Sequence, residues 1–294
     1  MLLSTSIKPL LAFSLFIRPS FQHERSPFSN TVGFSNPTFS TSFGGFANCL
    51  SGHVKVPTRT IANEKLLFDE SLDQYAVTAS FVHFIQANSS QAAEINGGPA
   101  IVSETFNIQA KLCFPKNAHP VSTIQFLIHG IGFNQSYWDF AEGYSFIDVA
   151  AKARYPTFSY DRLSVRASDH PDPIQIVQAP LQVEIAHTLI TLLRQGKLPG
   201  QKFKDVVGVG YSFGSIQSVG VLAKYPKDFD AVVLTGSYIP DFNSAIAAQN
   251  QPDRFKGLPN GYLVVDNAIA NQFANFKAYC ILSIIPRLVR KDRG

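Results

Sequence analysis

Residues 208–215 read GVGYSFGS and follow the stretch Phe203-Lys204-Asp205-Val206-Val207. The pattern is that of a strand turning sharply into a helix, with a serine at the turn. Inside it, Gly210-Tyr211-Ser212-Phe213-Gly214 is a G-x-S-x-G pentapeptide. Both glycines have a physical reason: a side chain two positions before or after the serine would collide with the strand or the helix. A serine so held is exposed at the C-terminal edge of its strand. It also stands at a helix N-terminus, where backbone N–H groups and the helix dipole favour a developing oxyanion. The pentapeptide recurs by chance, so its context carries the reading. An apolar strand precedes it, and an amphipathic helix follows, with Ile216, Val219, Gly220 and Ala223 on one face and a stop before Pro226.

Outward from this turn, strands and helices alternate. TIQFLIHG (123–130) and YPTFSYD (155–161) read as buried strands, with SFIDVAAKA between them as a helix. APLQVEIAHTLITLLRQGK is a longer helix: Leu181, Ile185, Leu189 and Leu192 recur at near-helical spacing, Pro180 sits near the first turn and Gly196 follows the last. DVVGVGY is the third strand and DAVVLTG (230–236) the fourth. Continuous apolar strands separated by helices predict an α/β fold, a mostly parallel sheet with helices on both faces. Upstream, YAVTASFVHFIQA and ETFNIQAKLCF alternate apolar and polar residues and read as strands, split by NGGP at 96–99. Residues 18–48 repeat phenylalanine but almost lack aliphatics, a composition that builds no core alone. The expected organisation is a signal peptide over 1–20, a low-complexity leader over 21–50 and one domain over 51–294. Within that domain the core spans 54–236, a cap-like region 237–275 and a divergent tail 276–294.

Bulk properties exclude several classes. The 294 residues are 45% hydrophobic and 16% charged, with a net charge of +4. The last eight residues, RLVRKDRG, carry +3 of it, leaving a nearly neutral body with no nucleic-acid footprint. No His/Cys/Asp grouping has metal-ligand spacing, so neither metal nor cofactor is expected. Of the three cysteines, Cys49 and Cys113 could pair in an oxidising compartment, leaving Cys280 free; in the cytosol all three would be buried thiols. The start, MLLSTSIKPLLAFSLFIRPS, has an apolar run from Pro9 to Ile17 that fits a secretory signal and is too short to span a bilayer. The rival is a mitochondrial presequence, given Arg18, Arg25, the serines and no acid before Glu24. Sequons at Asn88 and Asn134 are compatible with secretion. AYCILSIIP (278–286) is also too short to span.

Three further stretches sharpen the picture: FLIHGIGFNQSYWD with His129-Gly130 at a strand end, YDRLSVRASDHPDP with Asp161-Arg162 after the next strand, and the run into the elbow. Their order and spacing resemble the α/β-hydrolase superfamily, and more narrowly its secreted fungal members, over roughly residues 50–275. The resemblance implies Ser212 as nucleophile and the Phe213 N–H as one oxyanion donor. The second donor is Ile131, with Gly132 as the alternative. His129 would orient that loop, Tyr137 and Trp138 would wall the acyl pocket, and Asp161 and Arg162 would brace the sheet edge. The substrate implied is a small-molecule ester or related acyl compound. Relatives that attack with aspartate, such as epoxide hydrolases, differ at position 212. One departure is local: glycines usual after the Asp-Arg-Leu are replaced by Ser164 and Arg166.

In the superfamily the chain order is serine, acid, histidine. Asp241 is the candidate acid, ahead of Asp253 and Asp266. The seven histidines lie at 23, 53, 83, 119, 129, 170 and 187, all before Ser212. Of these, His170 falls on the correct sheet edge, while His187 shares a helix face with Glu184, Thr191 and Arg194 and reads as solvated. The expectation is that the C-terminal part carrying the histidine is missing, since FKAYCILSIIPRLVRKDRG (276–294) stands where further strands should begin. Two readings remain: a serine hydrolase, or an impaired, truncated hydrolase fold that binds a ligand or has no activity.

Overall fold

The computed structural model describes residues 28–67, 94–117 and 121–236, with positions 73, 75, 76 and 79 besides. The described chain opens with three strands, β1 (Phe34–Thr41), β2 (Ala47–Leu66) and β3 (Asn96–Pro115). It continues through β4 (Thr123–Ile128), a 3-10 turn (Gln135–Trp138), α1 (Phe146–Lys152), β5 (Thr157–Tyr160) and α2 (Ala179–Gln195). It closes with β6 (Asp205–Tyr211), α3 (Phe213–Lys224) and β7 (Ala231–Thr235). All seven strands join one sheet in the order β1-β2-β3-β5-β4-β6-β7. The first three strands and β5 pair antiparallel, whereas β5, β4, β6 and β7 run parallel. The fold is thus α/β with a mixed sheet whose parallel half holds the elbow.

The parallel strands β4, β5 and β6 are short and apolar because they are covered on both faces, whereas β7 is part-exposed. Ile124, Phe126, Ile128, Phe158, Tyr160 and Val206 pack with α2 and α3 in the larger core. Leu127 and Val209 point the other way, against Trp138, Ile147 and Ala151 around α1. Connecting segments leave β4 and β6 on opposite sides, so the order reverses between these two strands. Open α/β sheets form their ligand crevice at such a reversal. Two helices are capped, α2 at its end and α1 at its start. Gly196 takes a left-handed φ of 67° and caps α2. Ser145 caps α1, its side chain accepting from Asp148 N at 3.0 Å.

Three upstream expectations need correction. The leader does not extend to residue 50: β1 and the start of β2 lie inside it, with Cys49 and Leu50 fully buried. The compositional rule itself holds, because β1 buries only Phe34 and is otherwise exposed. An edge strand joins through backbone bonds and needs no apolar face. The 96–99 stretch does not split two strands; it begins β3 and pairs with β2. Most of the run 75–87 lies outside the described residues, and Tyr75, Ala76 and Ala79 are helical. Pro57 masked β2 in the sequence, yet it pairs with Thr105 beyond the stretch that β1 covers, where one side of β2 is an edge and a missing donor costs little.

Cys49 and Cys113 face each other across β2 and β3 and form a disulfide with sulfurs 2.04 Å apart. It closes a loop over a sequence separation of 64. The chain-entropy account gives such a loop about 4 kcal/mol. Replacing both cysteines by alanine should lower unfolding stability by about 2–4 kcal/mol in urea titration, and reducing agent should lower the parent chain similarly.

Candidate active site

The elbow forms because nothing but glycine fits on either side of it. A Cβ on Gly210 would come within 2.6 Å of Gly214 O and of the Ser215 backbone. A Cβ on Gly214 would come within 2.0 Å of Ile128 O at the end of β4. Between them Ser212 is forced to φ 52° and ψ −119°, a conformation that L residues rarely take. Its backbone N–H still donates to Thr235 O at 2.8 Å, extending the β6–β7 ladder through the turn. Ser215 locks the same neighbour: its hydroxyl donates to Thr235 O at 2.9 Å and accepts from Thr235 N at 3.1 Å. The sequence reading missed this clamp, since a serine and a threonine twenty residues apart carry no pattern. Ser212 itself is half-buried and reachable at the carboxyl edge of the sheet.

Two candidate oxyanion donors flank it. Phe213 opens α3, so its N–H is among the first four that a helix leaves without an internal acceptor. Ile131, 36% exposed, lies just past β4 on the loop that begins His129-Gly130. A Cβ on Gly130 would lie 3.0 Å from the Ser212 Cβ, which brings this loop against the serine. The Gly130 carbonyl accepts from His129 Nδ1 at 2.8 Å and from Arg162 Nη2 at 3.2 Å. Arg162 N donates to His129 Nε2 at 3.1 Å. An acceptor at Nε2 leaves the proton on Nδ1, so His129 is neutral and both its nitrogens are occupied. Burial, and then the Arg162 charge, hold its pKa well below the usual histidine value. Arg162 is buried too, and burial lowers it to about 10, which still leaves it charged at neutral pH. Asp161, fully buried, accepts from Gln135 N at 2.7 Å and so fastens the 3-10 turn to the end of β5; burial raises its carboxyl pKa.

An aromatic group borders the serine. Tyr137 stacks on Tyr211 with ring centroids 4.4 Å apart, and Phe133 meets both edge-on at 5.0 and 5.6 Å. Burial raises the pKa of both phenols. Tyr137 lies in this ring group with Tyr211 and Phe133, while Trp138 is buried in the α1-side core between Tyr137 and Phe146. An aromatic immediately before the serine was the available signal. In the turn after Asp-Arg-Leu, Ser164 sits at φ 67° and Arg166 at φ 50°, the left-handed conformation that favours glycine.

The structure brings none of its four described histidines to Ser212. His129 is spent as above. His53 Nε2 is bonded to Ala167 O at 2.9 Å. His170 follows Asp169, which is held by Asn107 of β3; β3 is three strands from β6, roughly 14 Å at ordinary strand spacing. His187 is only partly solvated, its side chain 32% exposed: Nδ1 meets Asp228 Oδ2 at 2.7 Å and the ring stacks on Tyr225 at 3.6 Å, before β7 and therefore at the opposite sheet edge. Glu184 likewise turns inward, accepting from Tyr225 Oη at 2.6 Å. Asp241, Asp253, Asp266, Asn88 and Cys280 lie outside the described residues. Asn134 is half-buried, its side-chain oxygen accepting from Ser136 N. Among the described residues no cluster of His, Cys, Asp or Glu could hold a metal, and no helix is long and apolar enough to cross a membrane.

The model of the Alpha/beta hydrolase family matches residues 126–284, more than half of the chain, and includes the elbow. Solved structures resemble part of it. An alpha/beta hydrolase from Novosphingobium aromaticivorans is 16% identical over 44% of this chain and 40% of its own, with a TM-score of 0.34. An esterase from Exiguobacterium antarcticum is 14% identical over 54% of this chain and 48% of its own, at 0.36. An epoxide hydrolase from Vigna radiata is 16% identical over 43% and 34%, at 0.35. The chain thus spans less than half the length of each. No curated protein sequence matches it.

Two measurements check the geometry. Gly214→Ala should cost about 3 kcal/mol or more in urea titration, because its methyl would meet backbone rather than a side chain that can move. His129 sets a pH dependence. Its folded pKa lies below the ordinary 6.5, so the unfolded chain binds the proton first. Its contribution is complete above pH 6.5 and is lost as pH falls towards the folded value. Stability should therefore decline below pH 6.5 by up to about 1.4 kcal/mol per pH unit, and His129→Gln should flatten that slope.

Proposed function

The chain belongs to the alpha/beta hydrolase family, and from that premise we propose that it is a serine hydrolase acting on small-molecule esters or related acyl compounds. The observation that carries this reading is Ser212 itself, held at φ 52° and ψ −119° at the N-terminus of α3 and the carboxyl edge of β6. In the proposed reaction Ser212 Oγ attacks the acyl carbon as a general base takes its proton. The carbonyl oxygen becomes an oxyanion between the N–H groups of Ile131 and Phe213. Collapse expels the protonated leaving group, and water hydrolyses the acyl-serine. The ring group of Phe133, Tyr137 and Tyr211 supports an apolar acyl portion. Serine at 212 separates this chemistry from that of relatives using an aspartate nucleophile. The proposed setting is extracellular, with a mitochondrial location as the alternative, and the Cys49–Cys113 disulfide supports an oxidising compartment.

One observation favours a second reading. No described histidine reaches Ser212, so the fold could bind ligands with little turnover. Without a base, an oxyanion hole and binding still leave on the order of 10³-fold acceleration over water.

Fluorophosphonate labelling of the purified, folded chain decides between them. Rapid stoichiometric labelling that falls at least about 100-fold in Ser212→Ala supports the hydrolase and requires a base. No labelling of a folded sample supports the binding fold.

A further inference from the structure

The oxyanion loop and the nucleophile come from different strands, β4 and β6, and something must hold their N–H groups in register. We propose that Arg162, at the end of β5, is the positioning residue that sets both oxyanion donors at once. The inference rests on the serine-hydrolase reading of the same site.

Three contacts carry it. First, Arg162 Nη2 donates to Gly130 O at 3.2 Å. The peptide that follows is planar and trans, so fixing the Gly130 carbonyl fixes the Ile131 N–H in the opposite direction, away from the guanidinium. Second, Arg162 N donates to His129 Nε2 at 3.1 Å, which leaves the imidazole proton on Nδ1 to make the second bond to Gly130 O at 2.8 Å. One residue thus holds the same carbonyl directly through its side chain and indirectly through its main chain. Third, the guanidinium carbon lies 4.8 Å from the centroid of the Phe213 ring. Phe213 supplies the other donor, and a guanidinium plane on an aromatic face restrains that residue at the first turn of α3.

The charge matters as well as the geometry. Arg162 is only 6% exposed, and its Nε has no hydrogen-bond partner among the described residues. Burying a cation with incomplete pairing costs several kcal/mol, and an apolar residue of similar size would avoid that cost. A positive charge behind the peptide of one donor and over the ring of the other stabilises an oxyanion wherever the two N–H groups converge. Stability alone gives no reason for a charge here.

The test compares the parent chain, Ser212→Ala, Arg162→Lys and Arg162→Met. It measures the fluorophosphonate labelling rate, the melting temperature, and the 31P resonance of the phosphonyl-serine adduct. Lysine keeps the charge but loses the planar fork and the ring stacking; methionine keeps a stem and loses the charge. Losing one oxyanion donor costs on the order of 10²–10³ in rate, so Arg162→Lys should label about 100-fold more slowly, and Arg162→Met more slowly still. The adduct's 31P resonance should move in both variants, because its oxygen sits in the altered hole; a merely structural role would lower melting temperature without moving it. Arg162→Lys labelling within roughly threefold of the parent, with an unmoved resonance, overturns the role of Arg162 while leaving the nucleophile intact. Failure of the folded parent to label overturns the nucleophile reading and this inference with it.

Discussion

The contact between Gly214 and the carbonyl of Ile128 is the constraint on which the site is built. A Cβ on Gly214 would lie 2.0 Å from that oxygen, so the first turn of α3 rides directly over the end of β4. This forces the turn between β6 and α3 to be tight, which makes the second glycine, Gly210, obligatory and drives Ser212 into positive φ. Such a backbone costs on the order of 1–3 kcal/mol. The surroundings over-determine it: Ser212 N and the Ser215 hydroxyl both engage Thr235, and Thr235 Oγ1 donates to Gly210 O at 2.9 Å. Hydrogen bonds of this kind contribute about 1 kcal/mol each, enough together to hold the strain. The Ser212 backbone geometry is therefore a property of three adjacent strands, not of the pentapeptide alone.

The loop opposite the elbow is held in a different way. Consecutive residues at the exit of β5 grip its two ends, Arg162 at the Gly130 carbonyl and Asp161 at the Gln135 N–H. The loop is thus suspended from a strand that supplies no reacting atom, with β4 between that strand and β6. A change at β5 can shift the Gly130–Ile131 peptide without touching Ser212. In the same way Asp161 governs the 3-10 turn that carries Tyr137, and so the ring stacked on Tyr211.

The parallel half of the fold was legible because β4, β5 and β6 are buried on both faces, because all four parallel strands read as unbroken apolar runs, and because α2 has a full helical stripe with a proline start and a glycine stop. The elbow was legible because its glycines are steric necessities. β1 was not, since an exposed edge strand has no apolar face to betray it, and β2 was hidden by Pro57, which an edge tolerates. Trp138 and His187 were misplaced for a common reason. Each was judged by its own segment, whereas its partners come from elsewhere in the chain: Trp138 joins a core cluster with Ala47, Cys113 and Val209, and His187 bonds to Asp228 beyond α3. Tertiary partners at long sequence separation leave no local trace.

The order of the loop after β4 also bears on proton transfer. His129 lies on that loop beside Gly130, yet it cannot take a proton from Ser212. Accepting one at Nε2 would break the bond from Arg162 N, and the resulting imidazolium would face the Arg162 cation in a buried setting. The interactions that orient the Ile131 peptide are the ones that hold His129 neutral. The buried arginine therefore keeps the neighbouring histidine out of acid–base chemistry.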